Sequence, residues 1–375
     1  MKRIISIFLI LSLLLPLHTI KANAEFSVSA AAAIVVNAAT GEVLYSQNET
    51  LKLPMASTTK IMSAILLLEN ADLEKEITTT TEMVTVEGSS MGLLPGDIVS
   101  YKTLLYGMML PSGNDAATTV AISLGGSLEG FSIMMNKKAA ELRMDNTNFV
   151  TPSGLDNKLH YSTAEDMAKL SVYAMKNEMF RKVVATKEIS VEYGNPPYRR
   201  SLYGHNKLLD NYTYATGIKT GYTSKSGRCL VSSAKKGNAE LIAVTLNDSN
   251  TVSSHVSLLD YGFSLLQEQA LELPYEFSKI PVISGQSSNA KLKVNTKTVA
   301  LSAAERDSLE YKINLKPFVY APIKKNTKVG SIEFSTKNGK IAELDILIKN
   351  TVKMQTSTKK SFLQNYVENL VSLIN

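Results

Sequence analysis

The sequence predicts an α/β (α+β) fold with an antiparallel sheet and an inserted helical region, followed by a small all-β domain and a C-terminal amphipathic helix. Three observations support this prediction. Strand patterns occur near both ends of the segment that stops at about residue 272, and helical patterns lie between them. The composition then becomes β-like as far as about residue 350. Finally, an apolar helical stripe ends the chain.

Residues 1–24 have the features of a secretory signal peptide. They combine a basic start, an apolar stretch from Ile4 to Leu17 and a small-x-small end. We expect cleavage before Glu25. The alternative is an uncleaved membrane anchor, for which the apolar stretch is short. Cleavage removes three cations and no acid, so the formal charge falls from +6 to +3. A charge this small does not indicate a nucleic-acid partner.

Residues 25–272 are predicted to form the first domain. It begins with a hairpin in "AAAIVVNAATGEVLYSQNET". Helical patterns follow from Pro54 to about Lys182, and "HYSTAEDMAKLSVYAM" among them opens with a capping signature. Strands return in "YATGIKTGYT", "GRCLVSSAKK" and "ELIAVTLND". The segment "HVSLLDYGFSLLQEQ" is predicted to be a closing helix.

Residues 273–352 are predicted to form the smaller, all-β domain. The segment begins near Leu273-Pro274, where the composition changes. It contains "TKNGK", in which Asn338-Gly339 is a strong two-residue turn signal between strands. The chain is therefore expected to carry a second, separate core.

Residues 353–375 are predicted to form an amphipathic helix that anchors the protein to a membrane surface. Its apolar stripe begins at Phe362, and Lys359 and Lys360 precede it. The segment is too short and too polar on its other side to span a bilayer. We expect it to lie in the membrane interface. The alternatives are packing against the β domain or pairing with a second copy.

Residues that often bind metals are scarce. The four histidines have no metal-ligand spacing, so no metal is expected. The single cysteine, Cys229, lies in an alternating apolar strand and is predicted to be a buried thiol. "GSSMG" matches the nucleophile motif G-x-S-x-G at Ser90, but loop-like "LLPGDIVS" follows it where that motif needs a helix. We interpret this match as chance.

Ser57 and Lys60 are the first candidates for chemistry. They stand three apart at the front of the apolar helical run "KIMSAILLLENA", so their side chains share one helix face. A serine hydroxyl is a weak nucleophile unless a base takes its proton. A lysine can be that base only as the neutral amine, which requires burial or a neighbouring cation. Alone, the pattern also fits a helix-start serine and a solvated lysine.

A second motif, "PSGNDAA", places Ser112 and Asn114 in a tight loop between two predicted helices. A hydroxyl and a carboxamide that lie close together can relay a proton and hold a peptide carbonyl group. The alternative is a helix cap with a turn glycine. The motif becomes informative only in combination with the others.

A third motif, "GIKTGYT", places Lys219, Thr220 and Gly221 on a predicted strand. Lys219 would supply a cation for a substrate carboxylate and would help to keep Lys60 neutral. Gly221 would let another chain approach the backbone, and the N–H of Tyr222 could complete an oxyanion hole. The alternative is an ordinary strand that ends in a glycine bulge.

In this order and at this wide spacing, the three motifs resemble those of the penicillin-binding proteins and the serine β-lactamases. The closer resemblance is to the low-molecular-mass D-alanyl-D-alanine carboxypeptidases, and it covers almost the whole mature chain. It includes "KLPMASTTKIMSA", "MLPSGNDAA", "TPSGLDNKLHYSTAEDMAKL", "GHNKLL" and "TGIKTGYTSKSGRCLVSSA". The resemblance implies a penicillin-binding/β-lactamase-like first domain and a serine-type carboxypeptidase activity without a cofactor.

The resemblance also implies how the reaction would proceed. Ser57 would attack the carbonyl group between the two terminal D-alanines of a peptidoglycan stem peptide, and Lys60 would accept its proton. Ser112 would pass a proton to the leaving D-alanine, and Asn114 would hold the peptide backbone. Water would then hydrolyse the acyl-enzyme. β-Lactam antibiotics would acylate the same serine.

For the substrate, the resemblance implies that Lys219 and Thr220 bind the terminal carboxylate. Gly221 would allow the peptide to dock beside the strand as an added strand. The enzyme would act in cell-wall biosynthesis or remodelling. It would work at the outer face of a bacterial cytoplasmic membrane or in the wall, held there or secreted.

The chain departs from the family pattern at three places. The middle motif carries Gly113, where relatives have Asp or Ala, and this side chain takes no part in catalysis. His205 precedes Asn206, and we expect it to be a structural histidine, with a place in the lining of the site as the alternative. "NDSNTVSSHV" lacks the basic residue that many relatives carry, which leaves one substrate contact unassigned.

Three other functions remain open. A β-lactamase is disfavoured because no glutamate-bearing loop of the class A kind follows the middle motif. A D,D-endopeptidase that acts on cross-links is not separable from a carboxypeptidase by sequence. A non-catalytic penicillin sensor would need a transmembrane signalling portion, which the sequence does not show.

Overall fold

The computed structural model describes residues 26–356, 366, 367 and 370–372. The predicted signal peptide lies outside the described residues, as does most of the predicted C-terminal helix. The five described residues of that helix are helical and exposed, whereas residues 353–356 are not helical. Among the described helices, none has both the length and the hydropathy that a bilayer crossing requires.

Most helices lie between the second strand and the fifth, as the sequence predicts. Two further single turns of 3₁₀-helix cover Ala56–Thr59 and Tyr275–Phe277. The α-helices are, in chain order, Lys60–Asn70 (α1), Thr81–Val84 (α2), Tyr101–Met109 (α3), Asn114–Gly125 (α4), Leu128–Glu141 (α5), Ala164–Ala174 (α6), Glu178–Val184 (α7), Leu208–Asn211 (α8), Thr251–Ser264 (α9) and Ala303–Asp307 (α10).

The strands fall into one central sheet, one sheet of the second domain and three small hairpin-like pairs. They are, in chain order, Ala30–Asn37 (β1), Val43–Gln47 (β2), Glu76–Thr78 (β3), Ile98–Ser100 (β4), Glu188–Gly194 (β5), Pro197–Tyr203 (β6), Ala215–Thr223 (β7), Gly227–Lys236 (β8), Ala239–Asp248 (β9), Gln267–Leu271 (β10), Lys279–Ile283 (β11), Asn289–Lys293 (β12), Lys297–Leu301 (β13), Glu310–Leu315 (β14), Val319–Tyr320 (β15), Lys328–Thr336 (β16) and Gly339–Ile348 (β17).

The central sheet is antiparallel and has the strand order β2-β1-β9-β8-β7. Its first two strands come from the start of the described chain, and the other three follow the helical region. This confirms the predicted sheet, which is assembled from both ends with helices inserted between. Its two edge strands are β2 and β7, and β7 carries the "KTG" motif.

Both faces of the central sheet are covered. On β1, Ile34 and Val36 face the core shared with the helical region, while Ala33 and Val35 face a second core against α9. Successive side chains of a strand point to opposite faces, so a strand buried on both sides must be apolar throughout. This explains the uninterrupted apolar run of β1 from Ala30 to Val36.

Helix α1 lies in the middle of the helical region. All its residues from Lys60 to Leu67 are buried, so it is buried on every side rather than along one stripe. A lysine, which is normally charged, therefore needs an explanation inside such a helix.

The predicted N-terminal cap of α6 is confirmed, because the Thr163 hydroxyl accepts a hydrogen bond from the Asp166 N–H at 3.1 Å.

The second domain is built on a six-stranded sheet of order β14-β16-β17-β12-β11-β15 and a two-stranded sheet of β10 and β13. It has its own apolar core, as expected for an all-β domain. It contacts the first domain through polar groups. Asn37 Nδ2 donates to the Ala300 carbonyl oxygen at 2.9 Å, and Ser302 Oγ donates to Glu42 at 2.9 Å.

Two sequence expectations about secondary structure were wrong. The closing helix α9 ends at Ser264 instead of continuing through "QEQ", because residues 267–271 pair with β13 as a strand. The β5–β6 hairpin was missed. Its strands are largely exposed on one side and enclose two prolines, so they lack the apolar pattern that marked the other strands. The boundary at residues 272/273 stays a prediction.

Candidate active site

Ser57 lies at the entry to the buried helix. It is the second residue of the 3₁₀-turn Ala56–Thr59, which leads directly into α1. Ala56 has a φ of +47°, a left-handed conformation that is costly for a residue with a Cβ. The turn is also packed closely, because a Cβ on Gly154 would clash with the Ala56 carbonyl oxygen. The Ser57 backbone is therefore tightly confined.

Lys60 is fully buried and contacts three oxygen atoms. Its Nζ lies 3.0 Å from Ser57 Oγ, 2.7 Å from Asn114 Oδ1 and 2.9 Å from the Ser153 carbonyl oxygen. A neutral amine has two protons and one lone pair. It can donate to the amide and carbonyl oxygens, which only accept, and accept from the hydroxyl, which can donate. The geometry therefore suits a lysine that removes the Ser57 proton.

The electrostatics favour the same state. Burial and the nearby cation Lys219 lower the pKa of Lys60 well below its ordinary value, while Asp115 opposes that change. Burial is the larger cause, since the charged ammonium loses its hydration. The sequence-based expectation that Lys60 must be buried or lie near a second cation is confirmed on both counts.

Ser112 and Asn114 lie at the turn between α3 and α4. Ser112 is buried with a φ of +62°, and Asn114 is the first residue of α4. The Asn114 amide is held on both sides, because its Oδ1 binds Lys60 and its Nδ2 donates to the Glu87 carbonyl oxygen at 2.7 Å. The "SGN" motif is thus joined directly to the serine–lysine pair.

Asp115 explains how the loop beside this motif is held. Its carboxylate accepts the backbone N–H groups of Met91, Gly92 and Leu93, each at 3.0 Å. Ser90, the serine of the chance motif, also donates its hydroxyl to this carboxylate. Ser90 therefore has a structural role, and it lies in an irregular loop rather than at a strand–helix elbow.

Strand β7 closes the other side of the site. A Cβ on Gly221 would lie 2.9 Å from the Ser57 amide nitrogen and 3.1 Å from the Met55 carbonyl oxygen, so the strand passes very close to the serine turn. Lys219 is buried, and its Nζ donates to the Thr220 carbonyl oxygen at 3.0 Å. Burial lowers the pKa of Lys219 to about 7. Its charge is therefore incomplete at neutral pH.

A cavity of about 380 Å³ opens onto these groups. The structure brings all eight predicted site residues to it or directly behind it. Three of them, Lys60, Asn114 and Lys219, are buried and reach the site through hydrogen bonds or charge. The other five line the cavity wall: Ser57, Ser112, Thr220, Gly221 and Tyr222.

A family model described as D-alanyl-D-alanine carboxypeptidase matches residues 18–250, more than half of the chain. The chain belongs to the D-alanyl-D-alanine carboxypeptidase family. A second model, described as the C-terminal domain of penicillin-binding protein 5, matches residues 272–354. Both domains are thus recognised, and the first is that of a serine peptidase.

Individual relatives agree with this membership. The chain is 32% identical to the D-alanyl-D-alanine carboxypeptidase DacF of Bacillus subtilis, over 89% of this chain and 88% of the relative. The crystal structure of the Streptomyces K15 DD-transpeptidase matches with a TM-score of 0.62 and 32% identity, over 64% of this chain and 99% of that one. The carboxypeptidase DacD of Francisella tularensis, 24% identical, shares the fold over 88% of this chain and 95% of its own, with a TM-score of 0.63.

Several residues outside the three catalytic motifs also belong to the site, and sequence reasoning assigned them no role there. The Ser153 carbonyl group binds Lys60, although "TPSG" carried no signal for such a role. Arg228 and Thr251 line the cavity. His205, which was expected to be structural, lines the cavity as well and is exposed, so that expectation was wrong.

Cys229 is buried as predicted, and burial raises the pKa of its thiol to about 11. It is therefore a poor thiolate at neutral pH. Two other histidines are enclosed by hydrogen-bonding groups. Burial lowers the pKa of His160 to about 4 and that of His255 to about 3. In the part of the chain that the structure describes, no cluster of three or more metal-binding side chains occurs.

Proposed function

We propose that this protein removes the terminal D-alanine from peptidoglycan pentapeptides as a serine-type D-Ala-D-Ala carboxypeptidase, through an acyl-enzyme on Ser57. The observation that carries the proposal is the buried Lys60 amine in contact with both Ser57 Oγ and Asn114 Oδ1. Family membership supports the substrate class. A role in building or remodelling the cell wall follows from such a substrate.

In the acylation step, Ser57 Oγ attacks the carbonyl carbon of the penultimate D-alanine, and the neutral Lys60 amine takes the hydroxyl proton. The carbonyl oxygen becomes an oxyanion. The N–H groups of Ser57 and Tyr222 are available to stabilise it, since β7 passes next to the serine turn at Gly221. Collapse of the intermediate breaks the peptide bond, and a proton must reach the leaving amine.

Ser112 is placed to deliver that proton. Its hydroxyl lines the same cavity as Ser57, and its loop is joined to Lys60 through Asn114. Asn114 is bonded to Lys60 and to the Glu87 carbonyl oxygen, and its second amide N–H would hold the substrate backbone. Thr220, with Lys219 behind it, binds the terminal carboxylate. Gly221 leaves room for the peptide to lie beside β7 as an added strand.

In the second step water attacks the ester carbonyl carbon and Lys60 takes a proton from it. As the ester C–O bond breaks, Lys60 gives this proton to Ser57 Oγ, so the serine is restored and the amine is neutral again. A β-lactam, which has a reactive amide and a carboxylate in a similar arrangement, would acylate the same serine. This chemistry requires only the side chains described. The protein would act after export, at the outer face of a bacterial cytoplasmic membrane or in the wall, with residues 353–375 supplying a membrane anchor.

The experiment that tests the proposal measures D-alanine release from diacetyl-Lys-D-Ala-D-Ala by the mature protein. We expect release by the wild type and none by Ser57→Ala. Ser90→Ala is the matched control, because it removes the serine of the chance motif and should stay active. Mass spectrometry after labelling with penicillin should locate the adduct on the peptide that contains Ser57.

Other outcomes would identify the competing functions. Stable labelling by penicillin without any release of D-alanine would favour a penicillin sensor. Rapid turnover of penicillin would favour a β-lactamase. Cleavage of the cross-link in dimeric peptides, without release of D-alanine from diacetyl-Lys-D-Ala-D-Ala, would favour an endopeptidase. Full activity of Ser57→Ala would show that the site itself is wrongly assigned.

A further inference from the structure

Four large apolar side chains are exposed together on the second domain. Ile283 pairs with Tyr320 across β11 and β15, and the Phe318 and Tyr320 rings meet edge to face with centroids 5.5 Å apart. Met354 forms a β-bridge with Gly285, two residues beyond Ile283. The exposed fractions are 41% for Ile283 and Phe318, 65% for Tyr320 and 51% for Met354. We call these four residues the distal patch.

The distal patch lies far from the first domain. The turn between β16 and β17 is at the domain contact, where Lys337 Nζ lies 3.8 Å from a Glu42 carboxylate oxygen. From that turn β17 runs for 10 residues to Ile348, close to the chain segment of the patch. At the usual rise per strand residue, this places the patch roughly 30 Å from the contact.

The surroundings of the patch are basic. The three segments that build this end of the domain, residues 279–293, 316–327 and 346–356, contain no aspartate or glutamate. Their lysines form no salt bridge within the described part of the chain. Those nearest the patch in sequence are Lys279, Lys316, Lys324, Lys325, Lys349 and Lys353. An uncompensated positive field around exposed apolar groups suits an anionic, partly apolar partner.

The end of the described chain indicates which partner this is. The Gln355 N–H donates to the Ser284 carbonyl oxygen at 2.9 Å, so the main chain stays beside the patch almost to residue 356. The predicted membrane-binding segment, residues 353–375, overlaps the patch at Met354 and continues through Lys359 and Lys360 to the apolar stripe that begins at Phe362. A segment that lies in the bilayer interface would bring the patch to the same surface.

We propose that the distal patch and the lysines around it form a second membrane-contact surface, which inserts its four apolar side chains into the interface of an anionic bilayer. This goes beyond anchoring by the terminal segment, because it assigns a lipid contact to the folded β domain. Aromatic side chains favour the interface, and each lysine close to an anionic surface adds attraction. The contact would limit how the protein can tilt on the membrane.

Fluorescence of the full mature chain can test this, since the chain contains no tryptophan. A Phe318→Trp variant carries a single probe in the patch. With vesicles of phosphatidylcholine and phosphatidylglycerol, we expect its emission to shift to the blue and to be quenched by brominated lipids. Tyr203→Trp is the matched control, because Tyr203 is 58% exposed on the first domain and should report water throughout.

A second pair of variants tests the charge. Lys324→Gln combined with Lys325→Gln should weaken binding to the mixed vesicles about thirtyfold at low salt. The control, Lys176→Gln with Lys182→Gln, removes two exposed lysines of the first domain and should bind as the wild type does.

Unchanged emission of the Phe318→Trp variant on vesicles that bind the protein would overturn the proposal, because the terminal segment alone would then hold it. The proposal would also be overturned if the lysines around the distal patch bound soluble polyphosphate while the emission of Phe318→Trp did not change with vesicles. The surface would in that case recognise a polyanion and not a lipid interface.

Discussion

Lys60 Nζ lies 3.0 Å from Ser57 Oγ, and the lysine side chain is wholly buried. A buried ammonium is costly unless it is paired with an anion, yet the three atoms that Lys60 contacts are uncharged oxygens. The second cation, Lys219, makes the charged form less favourable still. The arrangement therefore favours the neutral amine of Lys60 over its ammonium form, and the neutral amine is the form that can take the Ser57 proton.

The first prediction concerns this base. Lys60→Arg keeps a long cationic side chain but cannot lose its proton, so it cannot accept one from Ser57. We expect acylation by a labelled penicillin to slow by about 10²–10⁴-fold. Lys52→Arg, an exposed lysine on the same segment, should react at the normal rate. Near-normal acylation of Lys60→Arg would eliminate the proposed base.

The second prediction concerns the pH profile. The rate should rise with pH through the lowered pKa of Lys60, since the neutral amine is the reactive form. Lys219→Met removes the nearby cation, so the pKa of Lys60 should increase and the acidic limb of kcat/KM should move to higher pH. The quantity to measure is the pH at the midpoint of this acidic limb, which does not depend on the absolute rate of the variant. An unmoved limb would show that Lys219 does not influence the base.

The third prediction concerns stability. Lys219 has a pKa of about 7 in the folded protein against an ordinary value of 10.5. Between these values the unfolded chain binds more protons, so the free energy of unfolding rises with pH across this interval. Lys219→Met should therefore be more stable than the wild type at pH 7 and below, by up to a few kcal/mol. The advantage should shrink towards pH 10 in urea titrations, and a constant difference would contradict the argument.

The fourth prediction concerns the close approach of β7 to the serine turn. A Cβ on Gly221 would meet the Ser57 amide nitrogen at 2.9 Å and the Met55 carbonyl oxygen at 3.1 Å, both of which are backbone atoms. Gly221→Ala must displace the strand or the turn. We expect acylation to fall by about 10²-fold while the circular dichroism spectrum stays native. An unaffected acylation rate would mean that this spacing is not critical.

The fifth prediction concerns Arg228. In the β7–β8 register, Tyr222 is opposite Arg228 and Thr220 is opposite Leu230. Arg228 therefore shares a sheet face with Thr220 at a diagonal position, within reach of a carboxylate bound there. It is exposed in the cavity wall and has no salt bridge in the part of the chain that is described. Because Lys219 is only partly charged at neutral pH, Arg228 would supply a constant charge.

Arg228→Gln should lower kcat/KM for diacetyl-Lys-D-Ala-D-Ala by roughly 10–100-fold, the usual loss for a hydrogen bond to a charged group. The same peptide with an amidated C-terminus should be hydrolysed equally by both proteins. Lys225→Gln, which removes an exposed cation from the same hairpin turn, is the control. If the variant still discriminated between acid and amide as the wild type does, Arg228 would have no part in carboxylate binding.

Local sequence determined much of the secondary structure and the identity of the candidate site residues. The three-residue spacing of Ser57 and Lys60 places them together because helical geometry is repeated at every turn. The cap at Thr163 is equally local. The motifs predicted eight site residues, and the structure brings them to one cavity or directly behind it.

Only the tertiary structure decided how deeply these residues are buried and which groups surround them. Periodicity indicates which side chains share a face, but it does not show what covers that face. The burial of Lys60 depends on α4, on the loop that contains Ser153 and on strand β7, all remote in sequence. The same limit hid Arg228 and His205, because a side chain reaches the cavity only when distant strands and helices pack into one wall.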